Sequence, residues 1–265
     1  MVNEGTSAPR DVGPATAVLD LVHAVAHELM ARGASAVILA GSRARGDAHG
    51  ESDVDLYALG VGPGYRLEQR ATLLISISSR TPEQVRASFF DPMEAGSAVP
   101  GWREAVVLSD PHGIAHQLQQ EANRWTWDLI PSQVRRGTVA EGITGFAEEV
   151  HKLVVSLEQG NVWTAAIQRS LLAVRLAPLI AVHLQLLYGS ENHLWDLVAD
   201  RLGDRWRHAQ AAALGAGDES FMSTCQAVLA LYSLAAAEVW ERLDTDQRAV
   251  VAHACTIAGY PVPAP

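Results

Sequence analysis

The sequence is short of cysteine, and it contains no uninterrupted apolar run long enough to cross a bilayer. The two cysteines, Cys225 and Cys255, are too few for a disulfide framework and lack the spacing of a metal site. The most apolar stretch, residues 171–188, is interrupted by Arg175 and Pro178, and the N-terminus has no signal-like apolar core. We therefore expect a cytoplasmic protein that does not contact a membrane.

Positive charge is also scarce. The net charge is −10, and Lys152 is the only lysine. Residues 1–130 carry 10 basic and 16 acidic side chains, and residues 131–265 carry 10 and 14, so neither half is basic. This balance argues against a nucleic-acid partner, because the nucleic-acid backbone is bound through clustered basic residues. An acidic surface attracts cationic small molecules, although it serves solubility equally well.

One segment has the residue pattern of a metal site. An apolar run at 36–40 leads into the string GSRARG at 41–46, and after a polar turn the chain continues with SDVDL at 52–56. Alternate residues of a strand point to the same face, so Asp53 and Asp55 are expected to project side by side. Paired carboxylates repel each other unless a cation lies between them, and such oxygen ligands suit Mg²⁺.

The residues around this pair are suited to phosphate. Gly41 allows a close approach of the backbone, and Ser42 adds a hydroxyl and an N–H group. Of the two arginines that follow, one is expected to touch phosphate, with Arg45 the candidate, and the other to pair with a nearby acid. Ser52 is a further candidate for nucleotide contact. A phosphate cradle beside paired carboxylates is the minimum for metal-assisted nucleotidyl transfer, whereas the alternative is a glycine-rich turn beside two solvated aspartates.

The strings GSRARG and SDVDL closely resemble the signature of the polymerase-beta-like nucleotidyltransferase superfamily, in which GS precedes [DE]x[DE] by roughly ten residues. This resemblance implies an enzyme that uses Mg²⁺ and ATP or another nucleoside triphosphate. It implies that Asp53 and Asp55 hold the metal and that Gly41 and Ser42 contact the phosphates. It also implies an α+β fold whose N-terminal head is a mixed sheet with flanking helices.

The two halves of the chain differ in their periodicity. In the N-terminal half, after a flexible lead at 1–13, we predict one helix at 15–32, strands at 36–40, 54–59, 73–78 and 104–108, and helices opening at 82 and after 113. The C-terminal half shows helical periodicity near 133–158, 161–187, 192–201, 204–213, 217–242 and 245–258. We therefore predict a nucleotidyltransferase domain at 1–130 and an all-α helical bundle domain that binds substrate at 131–265.

That layout is similar to the antibiotic nucleotidyltransferases of the kanamycin type. Glu148 and Lys152 lie four residues apart, opposite the apolar stripe of the 133–158 helix. The kanamycin-type enzymes carry a glutamate base and a triphosphate-binding lysine at a similar place. The resemblance thus implies that Glu148 is catalytic and that Lys152 binds the nucleotide, with Glu149 as the reserve base. An ordinary solvated ion pair explains the same spacing.

The chain departs from the superfamily pattern at one place. Many members carry a third carboxylate on a later strand, whereas the 73–78 strand offers Ser76 and Ser78, and Glu104 only begins the next strand. Three explanations stay open. Two aspartates suffice when phosphates and water complete the Mg²⁺ shell, a carboxylate from the helical domain or a partner subunit completes the site, or the enzyme is weak or inactive.

The leading hypothesis is transfer of AMP from ATP to a hydroxyl of a small molecule. An aminoglycoside-like antibiotic is the favoured acceptor by resemblance, which implies a role in resistance. The GSRARG string also resembles minimal nucleotidyltransferase antitoxins that adenylylate a partner protein, but those have little beyond the head. A biosynthetic acceptor and a nucleotide-binding module without catalysis are further alternatives. Several relatives bind substrate across a dimer interface, so a homodimer is plausible.

Overall fold

The computed structural model describes residues 14–60 and 64–260, and the chain divides into two compact units. The first contains Met1–Val85 and Glu104–Glu121, and the second contains Arg86–Arg103 and Ala122–Pro265. The lead at 1–13 lies outside the described residues. The domain boundary at residue 130 stays a prediction.

A five-stranded mixed sheet organises the first unit, with the strand order β3-β4-β2-β1-β5. Strands β2 and β4 run parallel, and the other three neighbouring pairs are antiparallel. The strands are β1 (Ala36–Ala40), β2 (Val54–Leu59), β3 (Tyr65–Arg70), β4 (Leu73–Arg80) and β5 (Val106–Ser109). Strand β2 is therefore central, and each of its side chains has neighbours on β1 and β4.

The first helix, α1 (Pro14–Ala31), covers one face of this sheet. Its Leu29 is buried in one apolar core with Val54 and Leu56 of β2. Each such buried side chain contributes about 1.5–3 kcal/mol relative to exposure. Because successive side chains of a strand point to opposite faces, Asp55 lies on the face away from this core.

Ten further helices complete the described chain, together with 3-10 helices at Trp127–Leu129 and Trp240–Arg242. In the N-terminal half these are α2 (Gly41–Arg45), α3 (Pro82–Phe90), α4 (Pro92–Arg103) and α5 (Ile114–Arg124). The C-terminal half contains α6 (Ser132–Glu158), α7 (Val162–His183), α8 (Glu191–Leu202), α9 (Asp204–Leu214), α10 (Phe221–Val239) and α11 (Thr245–Ile257). The predicted fold class, a mixed-sheet head followed by a helical region, is confirmed.

The helices of the second unit pack closely at small residues. A Cβ on Gly142 of α6 would lie 2.6 Å from Cδ1 of Leu179, so glycine at 142 lets α6 and α7 approach. The hydroxyl of Tyr232 in α10 is buried and donates a hydrogen bond to the carbonyl of Ile143 at 3.1 Å. The same long helix α6 is thus tied to two neighbours by packing and by a buried hydrogen bond.

Besides the short helix α2 and the 3-10 helices, two elements escaped the sequence prediction. Strand β3 reads YRLEQR, an edge strand whose apolar residues, Tyr65 and Leu67, are exposed and which forms by pairing with β4. Helix α4 contains Gly96 and Pro100, both poor helix formers. A Cβ on Gly96 would lie 2.8 Å from the Tyr188 ring, and its carbonyl accepts the Tyr188 N–H at 2.8 Å. Tertiary contacts therefore outweigh the local propensity of α4.

Two helical segments, Val162–His183 and Phe221–Arg242, are long and apolar enough to cross a membrane by length and composition alone. Half of each apolar window is buried inside the structure. Length and composition alone are weak evidence for a membrane-spanning helix, because buried helices in the core of globular proteins meet the same criterion.

Asp110 anchors the start of α5. Its carboxylate accepts hydrogen bonds from the backbone N–H of His116 at 3.0 Å and from the His116 ring at 2.7 Å. Burial by itself raises the pKa of the Asp110 carboxyl, but these hydrogen bonds and those of neighbouring amides hold the pKa below its usual value.

We expect Asp110→Asn to lower the free energy of unfolding at neutral pH by about 1 kcal/mol, as loss of a helix cap does. A lowered folded-state pKa gives stability that is present above the unfolded-state pKa and is lost as pH falls through the folded-state pKa. The difference from wild type in urea denaturation should therefore shrink below about pH 4. The exposed Asp20→Asn is the control, and an equal loss there would contradict the assignment.

Candidate active site

Gly41 leaves no room for a side chain beside Asp55. Gly41 opens α2 directly after β1, with a φ of +68° that favours glycine. A Cβ on Gly41 would collide with the Asp55 carboxylate, coming within 3.0 Å of its Cγ. The strand register causes this approach, because Ala40 lies directly opposite Asp55 in the β1–β2 pair. Both the backbone conformation and the available space therefore require glycine at 41.

The two aspartates differ in their surroundings. Asp53 precedes β2 and is exposed, whereas Asp55 is half-buried within the strand. Ser76 lies opposite Asp55 in the parallel β2–β4 register, and its hydroxyl donates a hydrogen bond to Oδ1 of Asp55 at 2.6 Å. The protein thus holds Oδ1, while Oδ2 is the atom that faces Gly41. The serine noted as a departure from the superfamily pattern orients a predicted metal ligand.

Arg43 secures the turn that leads into β2. Its Nε donates to the carbonyl of Asp53 at 3.0 Å, and a terminal nitrogen donates to the carbonyl of Ser52 at 2.6 Å. The Ser52 hydroxyl accepts the N–H of His49 at 2.9 Å, which closes the same turn. Arg43 therefore binds backbone carbonyls and not a nearby acid, and together these bonds set the position at which Asp53 enters the strand. Ser52 as a nucleotide contact stays a prediction.

Arg45 lies near two acids. Its Nε is 3.1 Å from Oδ2 of Asp47 and 4.0 Å from Oε2 of Glu104. Glu104 was the other candidate for a third carboxylate at the metal site. In the structure its carboxylate lies near Arg45. A phosphate contact by Arg45 stays a prediction, and it would compete with these two carboxylates.

Tyr57 is a polar residue of this face that the sequence reasoning did not select. It follows Asp55 by two residues on β2, so both side chains project from the same face. Burial raises the pKa of the Tyr57 phenol, the Asp55 charge raises it further, and Arg80 opposes both. Tyr57 is therefore a neutral hydroxyl at physiological pH. The sequence could have identified Tyr57, because it follows Asp55 by two residues and alternate residues of a strand share a face.

The donor set at this face fits Mg²⁺. Mg²⁺ commonly takes one or two protein carboxylates and keeps several waters or substrate oxygens. Asp53 and Asp55 are the residues that would supply such a pair. Because Gly41 has no side chain, no Cβ fills the space beside Oδ2 of Asp55. Across residues 14–60 and 64–260, no group of three or more His, Cys, Asp or Glu side chains is arranged to hold a metal.

Glu148 and Lys152 belong to the second unit and pair with each other on α6. Lys152 Nζ lies 2.6 Å from Oε1 of Glu148, and both side chains are exposed. This hydrogen bond lowers the pKa of Glu148 and raises that of Lys152. Glu149 is half-buried beside them. A glutamate with a lowered pKa is a weaker base, and the catalytic roles of this pair stay predictions.

The sequence model of the nucleotidyltransferase domain family matches residues 28–108. These residues hold the GSRARG string, both aspartates and the strand that carries Ser76. Residues 28–108 form a nucleotidyltransferase domain. The match covers only the head of the chain, and phosphate binding at residues 41–46 and metal binding by Asp53 and Asp55 stay predictions.

A solved structure from Exiguobacterium sibiricum 255-15, described as a nucleotidyltransferase-like protein, is similar to most of the chain. It is 16% identical in sequence, covers 82% of this chain and 74% of its own, and superposes with a TM-score of 0.48. No curated protein sequence matches the chain. The identification of the nucleotidyltransferase domain depends on the family match and on the site itself.

We expect Gly41→Ala to abolish Mg²⁺-dependent ATP binding measured by calorimetry, because the added Cβ displaces the Asp55 carboxylate. Gly46→Ala is the matched control, since Gly46 ends the same helix with a φ of +82° and a Cβ there would meet nothing within 4 Å. Gly46→Ala introduces only the strain of alanine at a positive φ, about 1 kcal/mol, and should still bind ATP. Equal loss in both variants would contradict the role of the Gly41–Asp55 contact.

Proposed function

We propose that this nucleotidyltransferase is Mg²⁺-dependent and moves AMP from ATP to a hydroxyl group of a small molecule. The observation that carries the proposal is the fixed position of Asp55. Gly41 borders one carboxylate oxygen, and Ser76 donates a hydrogen bond to the other. A carboxylate held between a phosphate turn and a neighbouring strand is preorganised for a metal–nucleotide complex.

In this proposal the site residues of the head have separate roles. Asp53 and Asp55 would hold Mg²⁺, which when bound neutralises phosphate charge and makes the α-phosphorus easier to attack. The amides of Gly41 and Ser42 and the Ser42 hydroxyl contact the β- and γ-phosphates. No side chain caps these amides, since Ala40 stands at the position before α2. Ser76 keeps Asp55 oriented while pyrophosphate leaves.

The Glu148–Lys152 pair suggests how nucleotide binding would raise the pKa of Glu148, the proposed general base. While the two side chains pair, the lysine holds the pKa of Glu148 down and the glutamate is a poor proton acceptor. A triphosphate that engages Lys152 would draw the ammonium away from Glu148. The pKa of Glu148 then returns towards its ordinary value, and the carboxylate accepts the hydroxyl proton more readily.

We propose a cytoplasmic location for the protein and, as the acceptor, an aminoglycoside-like antibiotic, which carries several ammonium groups. The net charge of −10 supports a cationic acceptor, because an acidic protein raises the local concentration of cations. A homodimer is compatible with this proposal. The alternative of a nucleotide-binding module without catalysis is favoured by one observation, namely that no third acid joins the aspartate pair in the described part of the chain.

The test is release of pyrophosphate from ATP and Mg²⁺ across a panel of aminoglycosides, lincosamides, sugars and nucleosides. We expect release that depends on one class of acceptor. Asp53→Asn and Asp55→Asn should each lower it by more than about 100-fold, because even outer-shell partners of a metal contribute 10–100-fold. Glu51→Gln, in the same exposed turn, is the control and should retain activity.

Two outcomes would contradict the proposal. ATP binding by calorimetry without pyrophosphate release from any acceptor would favour a protein acceptor or the silent binding module. Release that persists in Asp53→Asn would remove the aspartate pair from the reaction.

We expect Glu148→Gln to lower the rate constant of transfer by about 10²–10⁴-fold with little change in ATP affinity, as loss of a general base does. Lys152→Ala should instead raise the KM for ATP. Glu158→Gln, an exposed glutamate at the end of the same helix, is the control. If Glu148→Gln and Glu158→Gln behave alike, the pair is an ordinary surface ion pair, and Glu149→Gln becomes the variant to measure.

A further inference from the structure

Strand β3 is one edge of the five-stranded sheet, and among the residues that the structure describes no other strand pairs with its outer side. It pairs with β4 in one regular antiparallel register over all six residues, and it contains no proline. The opposite edge, β5, has four residues, and its pairing with β1 contains a register shift. Irregular pairing and proline commonly blunt edge strands, because a regular edge is a template for another strand. Strand β3 has neither device.

The backbone of β3 faces β4 and the outside with alternate residues. The N–H of Ser79 on β4 donates to the carbonyl of Gly64 at 2.6 Å, so Gly64 and every second residue after it face β4. The N–H and C=O groups of Tyr65, Leu67 and Gln69 therefore point away from the sheet. The side chains of Tyr65 and Leu67 are 64% and 54% exposed. The outer side of β3 thus offers both backbone groups and apolar side chains to a further strand.

The other side chains of β3 are charged and alternate in sign, with Arg66, Glu68 and Arg70 on one face. A terminal nitrogen of Arg70 lies 2.8 Å from the Glu28 carboxylate, so this face is the side of the sheet that α1 covers. Within the chain, Nε of Arg66 lies 2.9 Å from Oε1 of Glu68. Like charges on an edge strand discourage pairing, whereas opposite charges that face each other favour it. The order of these charges therefore selects a register.

An antiparallel second copy of β3, centred on Leu67, meets these charges with their opposites. Arg66 lies opposite Glu68 of the second copy, and Glu68 lies opposite its Arg66. The two neighbouring registers set Arg66 against Arg66 or Glu68 against Glu68, which is unfavourable. Registers further away shorten the paired segment. Charge and length therefore both favour the pairing centred on Leu67.

We propose that a second copy of this chain binds to β3, and that the two sheets join through an antiparallel β3–β3 pair centred on Leu67. In this pair Leu67 exchanges both backbone hydrogen bonds with Leu67 of the second copy, and Tyr65 exchanges both with its Gln69. Arg66 and Glu68 fall at the non-hydrogen-bonded positions between them, where opposing side chains are closest. The strand is thus complementary to itself in hydrogen bonding, in charge and at the apolar Leu67.

The pairing also relates the two candidate active sites to each other. Leu67 lies opposite Ser76 of β4, and Ser76 lies opposite Asp55 of β2, so these side chains form a row across one face. A two-fold axis between the two Leu67 residues is perpendicular to the sheet, so this face of both copies points the same way. Five strand spacings of about 4.8 Å separate the two Asp55 positions, about 24 Å in all. The interface goes beyond the proposed transfer reaction and does not depend on it.

Sedimentation equilibrium of the full chain over a range of concentrations tests the interface. The mass should rise with concentration from 28.4 kDa towards twice that value. Arg66→Glu should weaken the dimer at least about tenfold, because two symmetry-related pairs change from attraction to repulsion. Combining Arg66→Glu with Glu68→Arg restores opposite charges and should restore the dimer. Arg32→Glu, at an exposed arginine outside β3, is the control and should leave the mass unchanged.

A cysteine cross-link tests the register. Leu67→Cys sets two thiols opposite each other with Cα atoms about 5.5 Å apart, within the range of a disulfide. In Tyr65→Cys, the matched control, the two thiols are offset by four residues, about 14 Å along the strand. Cys225 and Cys255 are buried and serve as the common background. Mild oxidation should therefore cross-link Leu67→Cys and leave Tyr65→Cys as single chains.

The proposal is overturned if the mass stays at 28.4 kDa at every concentration, or if Arg66→Glu and Arg32→Glu associate equally. Equal cross-linking of Leu67→Cys and Tyr65→Cys would also overturn it, because the register would then be wrong. Thermal melting of each variant shows whether the chain is folded. The cross-link keeps the test decisive even if Arg66→Glu disturbs the head.

Discussion

The close approach of Gly41 to Asp55 is the constraint on which the rest of the site depends. It follows from the antiparallel pairing of β1 and β2, which sets Ala40 opposite Asp55 and brings the start of α2 against the carboxylate. Ser76 reaches the same carboxylate from the parallel strand β4. One side chain thus receives contacts from both neighbouring strands, and its position is determined by the sheet and not by a flexible loop.

Charge is distributed unevenly over the molecule, and this distribution gives each unit a different chemistry. The head presents Asp55 on strand β2 and Asp53 directly before it, and these carboxylates would suit a cation with phosphates. The second unit carries the exposed Glu148–Lys152 pair. The net charge of −10 therefore does not give the local charge at either of these sites, because ion pairs neutralise some charged groups and not others.

The sequence predicted elements well where periodicity was strong and poorly where tertiary contacts outweigh it. Helix α6 was expected at 133–158 and is found at Ser132–Glu158, because its apolar stripe recurs at helical spacing. Strand β3 was missed because its two apolar residues, Tyr65 and Leu67, are too few to set a clear period and are not part of the core. Helix α4 was missed because Gly96 and Pro100 oppose helix formation locally, while contacts with Tyr188 favour it.

By itself the sequence determined the long helices, four of the five strands, the two-residue spacing of Asp53 and Asp55 and the i,i+4 spacing of Glu148 and Lys152, because these depend on the periods of strands and helices. Only the tertiary structure decided which groups meet across the chain. Strand register brought Ser76 to Asp55, and helix packing brought Tyr232 to Ile143. Contacts between distant residues depend on packing, which no local period records.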